Sequence, residues 1–229
     1  MLALHVVFER RDPSSKWCAY LDALPDDSWG RSFLPAFVAP AQLDALEGTG
    51  VRGAAQALLR ACVQQYVYLR LVLDEAAKAN ASKASAAASA PNSTDAPLTW
   101  SEWRWALSIV WSRQNRIPTA AAAAATASSA SGAAGDVPPA QSFCMALVPA
   151  WDFCNHSPDA CATEDCPLAG AAFDLELDCL ECRCPPAGVR AGEAISMYYG
   201  ARSSAHFLLY QVCPCIVIRC NVIEIRSRY

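Results

Sequence analysis

Two short strings in the C-terminal half of the chain constrain its fold more than any other feature. Residues 151–157 read Trp-Asp-Phe-Cys-Asn-His-Ser and follow an apolar run, so an amide and an imidazole stand side by side where a strand should end. Residues 192–200 read Gly-Glu-Ala-Ile-Ser-Met-Tyr-Tyr-Gly, which is typical of a turn, a short alternating strand and a tight bend. A lone Asn-His pair is more often a structural turn than a site. The two strings are informative because they occur together and in this order.

Composition and charge exclude several classes of partner. The chain has 229 residues and a net charge of -4, with no block dense in lysine and arginine, so we expect no nucleic-acid partner. No run approaches the roughly 18 apolar residues that would span a bilayer, so we expect no membrane partner. The apolar N-terminus meets Glu9-Arg10-Arg11 at once and makes a poor signal peptide. We therefore expect a cytoplasmic protein, with the nucleus as the alternative, whose 12 cysteines are free thiols.

Hydrophobic periodicity predicts helices first and short strands later. Helices are expected over residues 15–24, 41–46, 51–79, 99–113 and 204–211, and strands near 147–149, 172–177, 180–184 and 194–198. Thr99 and Glu102 have the spacing of a capping box, and the tryptophans that follow are expected in the core. Residues 79–97 and 119–140 are of low complexity and are predicted to be a linker and a solvated insertion. This order of elements predicts an α+β fold.

Three strings together resemble a known family. They are residues 112–118, Ser-Arg-Gln-Asn-Arg-Ile-Pro, residues 151–156, and residues 199–203, Tyr-Gly-Ala-Arg-Ser. This set resembles the SET-domain protein methyltransferases of the Rubisco-lysine-methyltransferase-like class, and within them the actin-histidine branch. The resemblance implies a partial SET domain of small β-sheets with a helical insertion. It divides the chain into a helical insertion (1–118), a low-complexity insertion (119–140), the C-terminal half of the catalytic core (141–212) and a divergent tail (213–229).

The resemblance also implies roles for individual residues. The cofactor would be S-adenosyl-L-methionine, held by Arg113, Asp152, Asn155, His156 and Tyr199. Tyr199 and Asn115 would be the catalytic residues, and Asn115 and Trp151 would contact the protein substrate. An imidazole with a pKa of about 6.5 is largely neutral at pH 7 and needs a partner for its second nitrogen, which an amide such as Asn115 can supply. The implied activity is methylation of a protein histidine in an actin-like substrate.

Two further features of the family fall outside this sequence. The family begins with a strand-rich segment whose glycine-containing loop helps bind the cofactor, and it continues after the core into a helical substrate-binding domain. Ser204 and His206 stand where the branch usually has Asn and Glu. The chain is therefore expected to be the middle of an enzyme, truncated at both ends.

Alternatives remain open at the level of sequence. The acceptor could be lysine, or the chain could be an inactive SET fragment that binds a protein partner through its Trp-rich helical region. Two cysteine groups have partial zinc-ligand spacing: Cys179, Cys182 and Cys184, and Cys213, Cys215 and Cys220. The first group lacks a second ligand pair at metal spacing. The second has an apolar segment, Ile216 to Ile218, between its cysteines, and the branch that the chain resembles has no zinc site there. We therefore predict no metal site, with zinc at the tail cysteines as the open alternative.

Overall fold

The structure, a computed structural model, describes residues 1–83, 96–118, 143–157, 172–174, 177, 179–181 and 190–211. The chain consists of two compact units. The first is Met1–Ser112 together with Ser203–Tyr229, and the second is Arg113–Arg202. The four-part division expected from the sequence stays a prediction. The insertion at 119–140, the tail at 213–229, and Cys182, Cys184, Cys213, Cys215 and Cys220 lie outside the described residues.

Helices make up the described part of the first unit. They are α1 (Leu2–Arg11), α2 (Cys18–Ala23), α3 (Asp27–Phe33), α4 (Pro40–Asp44), α5 (Gly50–Lys83), α6 (Trp100–Arg113), which ends one residue into the second unit, and α7 (Ser204–Tyr210). The predicted helices are all present, whereas α1 and α3 were not foreseen. Among the described residues, no helix is both long enough and apolar enough to span a membrane.

Helix α6 begins as the capping-box spacing predicts. The Thr99 amide donates to Glu102 Oε2 at 2.9 Å, and the Glu102 amide donates to Thr99 Oγ1 at 3.2 Å. Arg11 of α1 adds two hydrogen bonds to the Glu102 carboxylate, at 2.7 and 2.6 Å. Partial burial opposes ionisation, but the bonds from Arg11 and Thr99 outweigh it and lower the pKa of Glu102 to about 2. One carboxylate therefore both starts α6 and joins it to α1.

The buried face of α6 forms the core of this unit. Trp105 is 1% exposed and donates its indole N–H to the Pro25 carbonyl at 2.8 Å, while Trp103 donates to the Cys62 carbonyl at 3.3 Å. Gly30 of α3 lies so close to α6 that a Cβ there would overlap Ser108. These tryptophans are core residues, as predicted, because each buries a large ring and also satisfies its one polar atom.

Helix α5 is 34 residues long and extends beyond its predicted end. Residues 79–83, expected to start a linker, are helical because an alanine-rich segment continues a helix that is already nucleated. Near the other end of α5, Leu46, Val51, Ala55 and Leu209 form a buried cluster that joins α5 to α7.

Short strands make up the described part of the second unit. They are β1 (Asn115–Pro118), β2 (Phe143–Ala146), β3 (Asn155–His156), β4 (Ala172–Asp174), β5 (Cys179–Glu181) and β6 (Ser196–Met197). The pairs β1–β2 and β4–β5 are antiparallel, and β3–β6 is parallel. The strand expected at 147–149 is instead β2, which ends at Ala146, and β1 was not foreseen. The α+β class is confirmed.

Candidate active site

The candidate site is built around one sharp turn in the second unit. Ala150 adopts a left-handed φ of 69°, a 3₁₀ turn follows over Trp151–Phe153, and the chain then enters β3. The turn buries Asp152, which is 4% exposed, and its amide donates to the Val148 carbonyl at 3.1 Å. The sequence string at 151–157 therefore marks a place where the backbone reverses and carries a carboxylate inward.

Arg113, the last residue of α6, binds this turn. Its Nη1 donates to the Asp152 carbonyl at 2.7 Å, and its guanidinium carbon lies 5.6 Å from the centre of the Phe153 ring. The Arg113 Nε is buried and has no hydrogen-bond partner within the described part of the chain. The Nη1 side of the guanidinium group is thus fixed to the turn. The buried Nε–H is a donor that a bound ligand could use.

Asn115 is placed beside Arg113 by the change from α6 to β1. Its side-chain Nδ2 donates to the Arg113 carbonyl at 3.0 Å, one of the carbonyls that a helix leaves unsatisfied at its C-terminus. This bond fixes the orientation of the amide. The side-chain oxygen Oδ1 is then directed away from the helix end and is an acceptor for another ligand.

Tyr199 is joined to the same turn by two hydrogen bonds. Its hydroxyl donates to the Cys154 carbonyl at 2.7 Å, and its backbone amide donates to His156 Nδ1 at 3.2 Å. The His156 and Tyr199 rings lie 5.2 Å apart between centroids. The Nδ1 lone pair of His156 accepts this hydrogen bond, so the imidazole is joined directly to the Tyr199 backbone.

Backbone pairing between β3 and β6 sets the register of these contacts. Asn155 pairs with Ser196 and His156 with Met197, and the Ser157 amide donates to the Met197 carbonyl at 3.0 Å. Gly200 follows with a φ of 93°, which lets the chain turn directly after Tyr199. The two sequence strings are therefore neighbours in space.

The structure brings together most of the predicted site residues, though not all by direct contact. Arg113, Asp152 and Asn115 form one group, and His156 and Tyr199 form a second on the same turn. Asn155 is exposed and Trp151 half-buried, and within the described residues no hydrogen bond joins either side chain to the two groups. The Cys154 carbonyl was missed because a backbone acceptor leaves no signature in the side-chain sequence.

The chemistry of the site favours binding over acid–base catalysis. Burial, with the nearby Asp152 carboxylate adding to it, raises the pKa of the Cys154 thiol, which keeps it protonated at neutral pH. No cluster of metal-ligating side chains occurs among the residues that the structure describes. The groups available to bind a ligand are the guanidinium of Arg113, the buried carboxylate of Asp152, the amide of Asn115 and the hydroxyl of Tyr199.

Comparison with solved structures defines the class of fold. A SET domain of LSMT bound to lysine and AdoHcy matches 91% of this chain and 39% of its own length, with a TM-score of 0.61 at 19% identity. A structure of Rubisco LSMT bound to AdoMet matches 92% of this chain and 38% of its own, with a TM-score of 0.58 at 17% identity. The chain therefore has the fold of part of a SET domain, as expected.

Sequence comparison identifies more specific relatives. Actin-histidine N-methyltransferases from Danio rerio and Canis lupus familiaris are each 29% identical over 213 residues, which cover 91% of this chain. The chain spans only 28% and 29% of the length of these relatives. No family model matches the chain. The resemblance to SET-domain methyltransferases and to their actin-histidine branch is confirmed.

Proposed function

We propose that this chain carries part of an S-adenosyl-L-methionine-dependent protein N-methyltransferase whose acceptor is a histidine in an actin-like protein. The observation that carries the proposal is the anchoring of Tyr199 to Cys154 and His156 on one turn of a SET fold. Two further findings support it: solved SET structures bound to AdoMet or AdoHcy, and relatives named actin-histidine N-methyltransferase.

The residues present suit the proposed cofactor. S-adenosyl-L-methionine carries a carboxylate, an ammonium group and a sulfonium cation, so it needs both a cationic and an anionic partner. Arg113 has a buried Nε without a hydrogen-bond partner among the described residues, which is an unmet donor for a carboxylate. Asp152 supplies a buried carboxylate beside it. We propose that Arg113, Asp152, Asn155, His156 and Tyr199 hold the cofactor.

Tyr199 is suited to positioning and not to proton abstraction. When bound, S-adenosyl-L-methionine supplies an electrophilic methyl group for an in-line displacement by the acceptor nitrogen. The hydrogen bond that the Tyr199 hydroxyl donates to the Cys154 carbonyl fixes the position of the hydroxyl oxygen, and a phenol hydroxyl can accept as well as donate. Such a group orients polarised atoms without becoming charged, which is the form of stabilisation that a displacement of this kind needs.

Asn115 supports histidine as the acceptor. A histidine that attacks through one ring nitrogen carries its proton on the other, and that N–H needs an acceptor to fix the ring. The bond from Asn115 Nδ2 to the Arg113 carbonyl leaves Oδ1 as such an acceptor. We propose that Asn115 orients the acceptor imidazole and that Trp151 packs against the substrate.

Lysine is the second candidate acceptor. Solved structures of the same fold were obtained with lysine and with monomethyllysine. A lysine with a pKa of about 10.4 must first lose a proton, whereas an imidazole with a pKa of about 6.5 is largely neutral at pH 7. We therefore place histidine first.

Partner binding without catalysis is the third candidate. In this alternative the chain would recognise a protein partner through its Trp-rich helical region. Trp103 and Trp105 are 4% and 1% exposed, so these two rings are committed to the core and offer no surface to a partner. The partner-binding candidate therefore loses these two rings and keeps Trp17, which is 38% exposed.

Titration of the purified chain with S-adenosyl-L-methionine tests the proposal first. We expect binding with a Kd on the order of micromolar. Arg113→Met and Asp152→Asn should weaken it at least tenfold, while Asp22→Asn, an exposed change in the helical unit, should leave it unaltered. A chain with a native circular dichroism spectrum that fails to bind the cofactor would overturn the proposal.

A transfer assay then distinguishes the acceptors. Methylation is followed by mass spectrometry on matched actin-type peptides that carry histidine, lysine or alanine at the acceptor position. We expect methylation of the histidine peptide alone. Methylation of the lysine peptide alone would replace the first candidate by the second.

The cellular location is part of the proposal. An actin-like substrate and the free cysteines favour the cytoplasm, with the nucleus as the alternative. Immunofluorescence of the native protein tests this, and a secreted or membrane-bound signal would contradict it.

A further inference from the structure

Helix α5 has an apolar face that is exposed to solvent. It consists of large side chains along the middle of the helix: Leu59, Val63, Val67, Tyr68, Leu71 and Val72. Their exposure reaches 61% for Leu71 and 67% for Tyr68. The opposite side of the helix is buried, as Ala55 and Cys62 show. A helix at the surface of a monomer normally carries polar residues on its outward side, so this surface, here named the α5 apolar face, requires an explanation.

The size of the α5 apolar face suits a modest protein interface. From the exposed fractions of its side chains, it presents roughly 500 Å² of apolar surface, which is near the upper end for the largest patch of an ordinary monomer. Two such faces brought together would bury about 1,000 Å², which is the lower limit for a specific interface. An interface of this size predicts weak, concentration-dependent association.

Charges at the two ends of the face are arranged for self-association. Arg60 lies beside Leu59 at the N-terminal end of the face and Glu75 follows Val72 at the other end, and the 3.6-residue repeat places both on the outward side. Arg60 has no ion pair among the described residues. Within the described ranges Glu75 pairs with Lys78 alone, at 2.7 Å on the surface, where both side chains are more than 70% exposed and water competes for them.

The sequence of the face is self-complementary when two copies run antiparallel. If a two-fold axis passes between Val67 and Tyr68, Arg60 of one copy lies at the level of Glu75 of the other. At the same time Val63 lies level with Val72, Val67 lies level with Tyr68 at the centre of the pair, and Leu71 lies level with Gln64. A symmetric pair thus buries the apolar residues and gives each end one cation and one anion.

From this register and charge pattern we propose that the α5 apolar face binds the same face of a second copy of this chain, as an antiparallel two-fold helix pair. The surface is separate from the candidate active site, so the inference does not depend on the proposed function. Pairing through α5 would make the molecule a weak homodimer.

Sedimentation velocity over a range of about 1 to 300 μM, with reductant present to prevent disulfides, tests the pairing. We expect a monomer–dimer equilibrium with a Kd on the order of 10 μM. Leu71→Glu should raise the Kd at least tenfold because it places one carboxylate from each copy within the buried apolar interface. A chain that remains monomeric throughout, or that forms larger species without a dimer, would overturn the proposal.

Charge reversal distinguishes this geometry from non-specific association of apolar surfaces. Arg60→Glu and Glu75→Arg should each raise the Kd about tenfold, because each creates like-charge contacts at both ends of the pair. The double variant should restore the wild-type Kd, and Asp22→Arg, an exposed reversal on α2, should leave it unchanged. All three residues are exposed, so each variant should keep the wild-type Tm. Equal weakening in the double variant would contradict the antiparallel register.

Discussion

The hydroxyl of Tyr199 donates to the backbone carbonyl of Cys154 at 2.7 Å, across a separation of 45 residues. The acceptor directly precedes the Asn-His pair of β3. Since the Tyr199 amide also donates to His156 Nδ1, both ends of the tyrosine are tied to the turn that buries Asp152. The position of this hydroxyl is therefore determined by the same backbone that shapes the proposed cofactor site.

Tyr199→Phe removes the hydroxyl and leaves the ring and the backbone bond in place. We expect a loss of methyl transfer of at least 100-fold in an active form of the enzyme, because the positioning acceptor is gone. Stability should fall by only about 1 kcal/mol, the usual effect of one lost hydrogen bond. Single-turnover assays and thermal denaturation measure the two effects. A variant that retains full turnover would remove Tyr199 from the mechanism.

Asn115→Phe removes the proposed acceptor for the second nitrogen of a substrate histidine. The variant should transfer methyl groups to a histidine peptide at least tenfold more slowly and should shift preference toward lysine, measured as the ratio of kcat/KM for the two peptides. Asn115→Gln keeps the amide but lengthens its arm, so it serves as the matched control with a smaller loss. An unchanged ratio in Asn115→Phe would count against histidine as the acceptor.

His156→Phe tests whether the imidazole acts through the backbone of Tyr199. The variant keeps an aromatic ring but removes the Nδ1 acceptor, which leaves the Tyr199 amide without this partner. We expect a loss of stability of about 1–3 kcal/mol and a fall in kcat with cofactor affinity reduced less than in Arg113→Met. His156→Asn, which can restore an acceptor, should recover part of kcat. A variant that lost cofactor binding alone, with kcat intact at saturation, would assign His156 to the cofactor only.

Local signals in the sequence predicted much of the helical unit. The periodicity of α5 and the capping box of α6 are each contained within one segment, so they could be read without knowledge of the fold. Helix α3 was missed because it is short and contains Gly30, a residue that disfavours helix except where a neighbour packs closely. Its N-cap, Asp26, which accepts from the Ser28 amide at 2.9 Å, is the signal that could have revealed it.

Contacts between distant segments were harder to predict. Strand β1 is defined by its pairing with β2, and the two are separated by residues 119–142, so no local pattern indicates it. The candidate site residues could be proposed because they lie in short strings, whereas the contact that joins Tyr199 to Cys154 uses a carbonyl that every residue possesses. Side-chain identity could indicate candidates for the site, and only the fold could show which contacts hold them in place.

Glu102 makes stability depend on pH. Its pKa in the folded chain is lowered to about 2, whereas an unfolded chain has a value near 4.3. A lowered pKa means that the stabilisation is complete above the unfolded value and is lost as the pH falls from about 5 toward 2.

Glu102→Gln should cost about 1–2 kcal/mol at pH 7, through the weakened pair with Arg11 and the altered cap, and little at pH 2. Denaturant unfolding of both proteins from pH 7 to 3 measures the difference, which should shrink as the pH falls. A difference independent of pH would contradict the assigned ionisation.

Two glycine-to-alanine changes should have opposite effects on stability, because the two glycines have different surroundings. Gly30→Ala should destabilise by about 1–3 kcal/mol, since the added methyl group would overlap Ser108 and force α3 away from α6. Gly53→Ala, in helix α5, has nothing within 4 Å of the new methyl group and should stabilise by about 0.5–1 kcal/mol through helix propensity and reduced freedom of the unfolded chain. Both differ from wild type by the same atoms, so each is the control for the other. Thermal denaturation should give a lower Tm for Gly30→Ala and a higher Tm for Gly53→Ala. Equal shifts in one direction would show that packing of α3 on α6 is looser than Gly30 and Ser108 indicate.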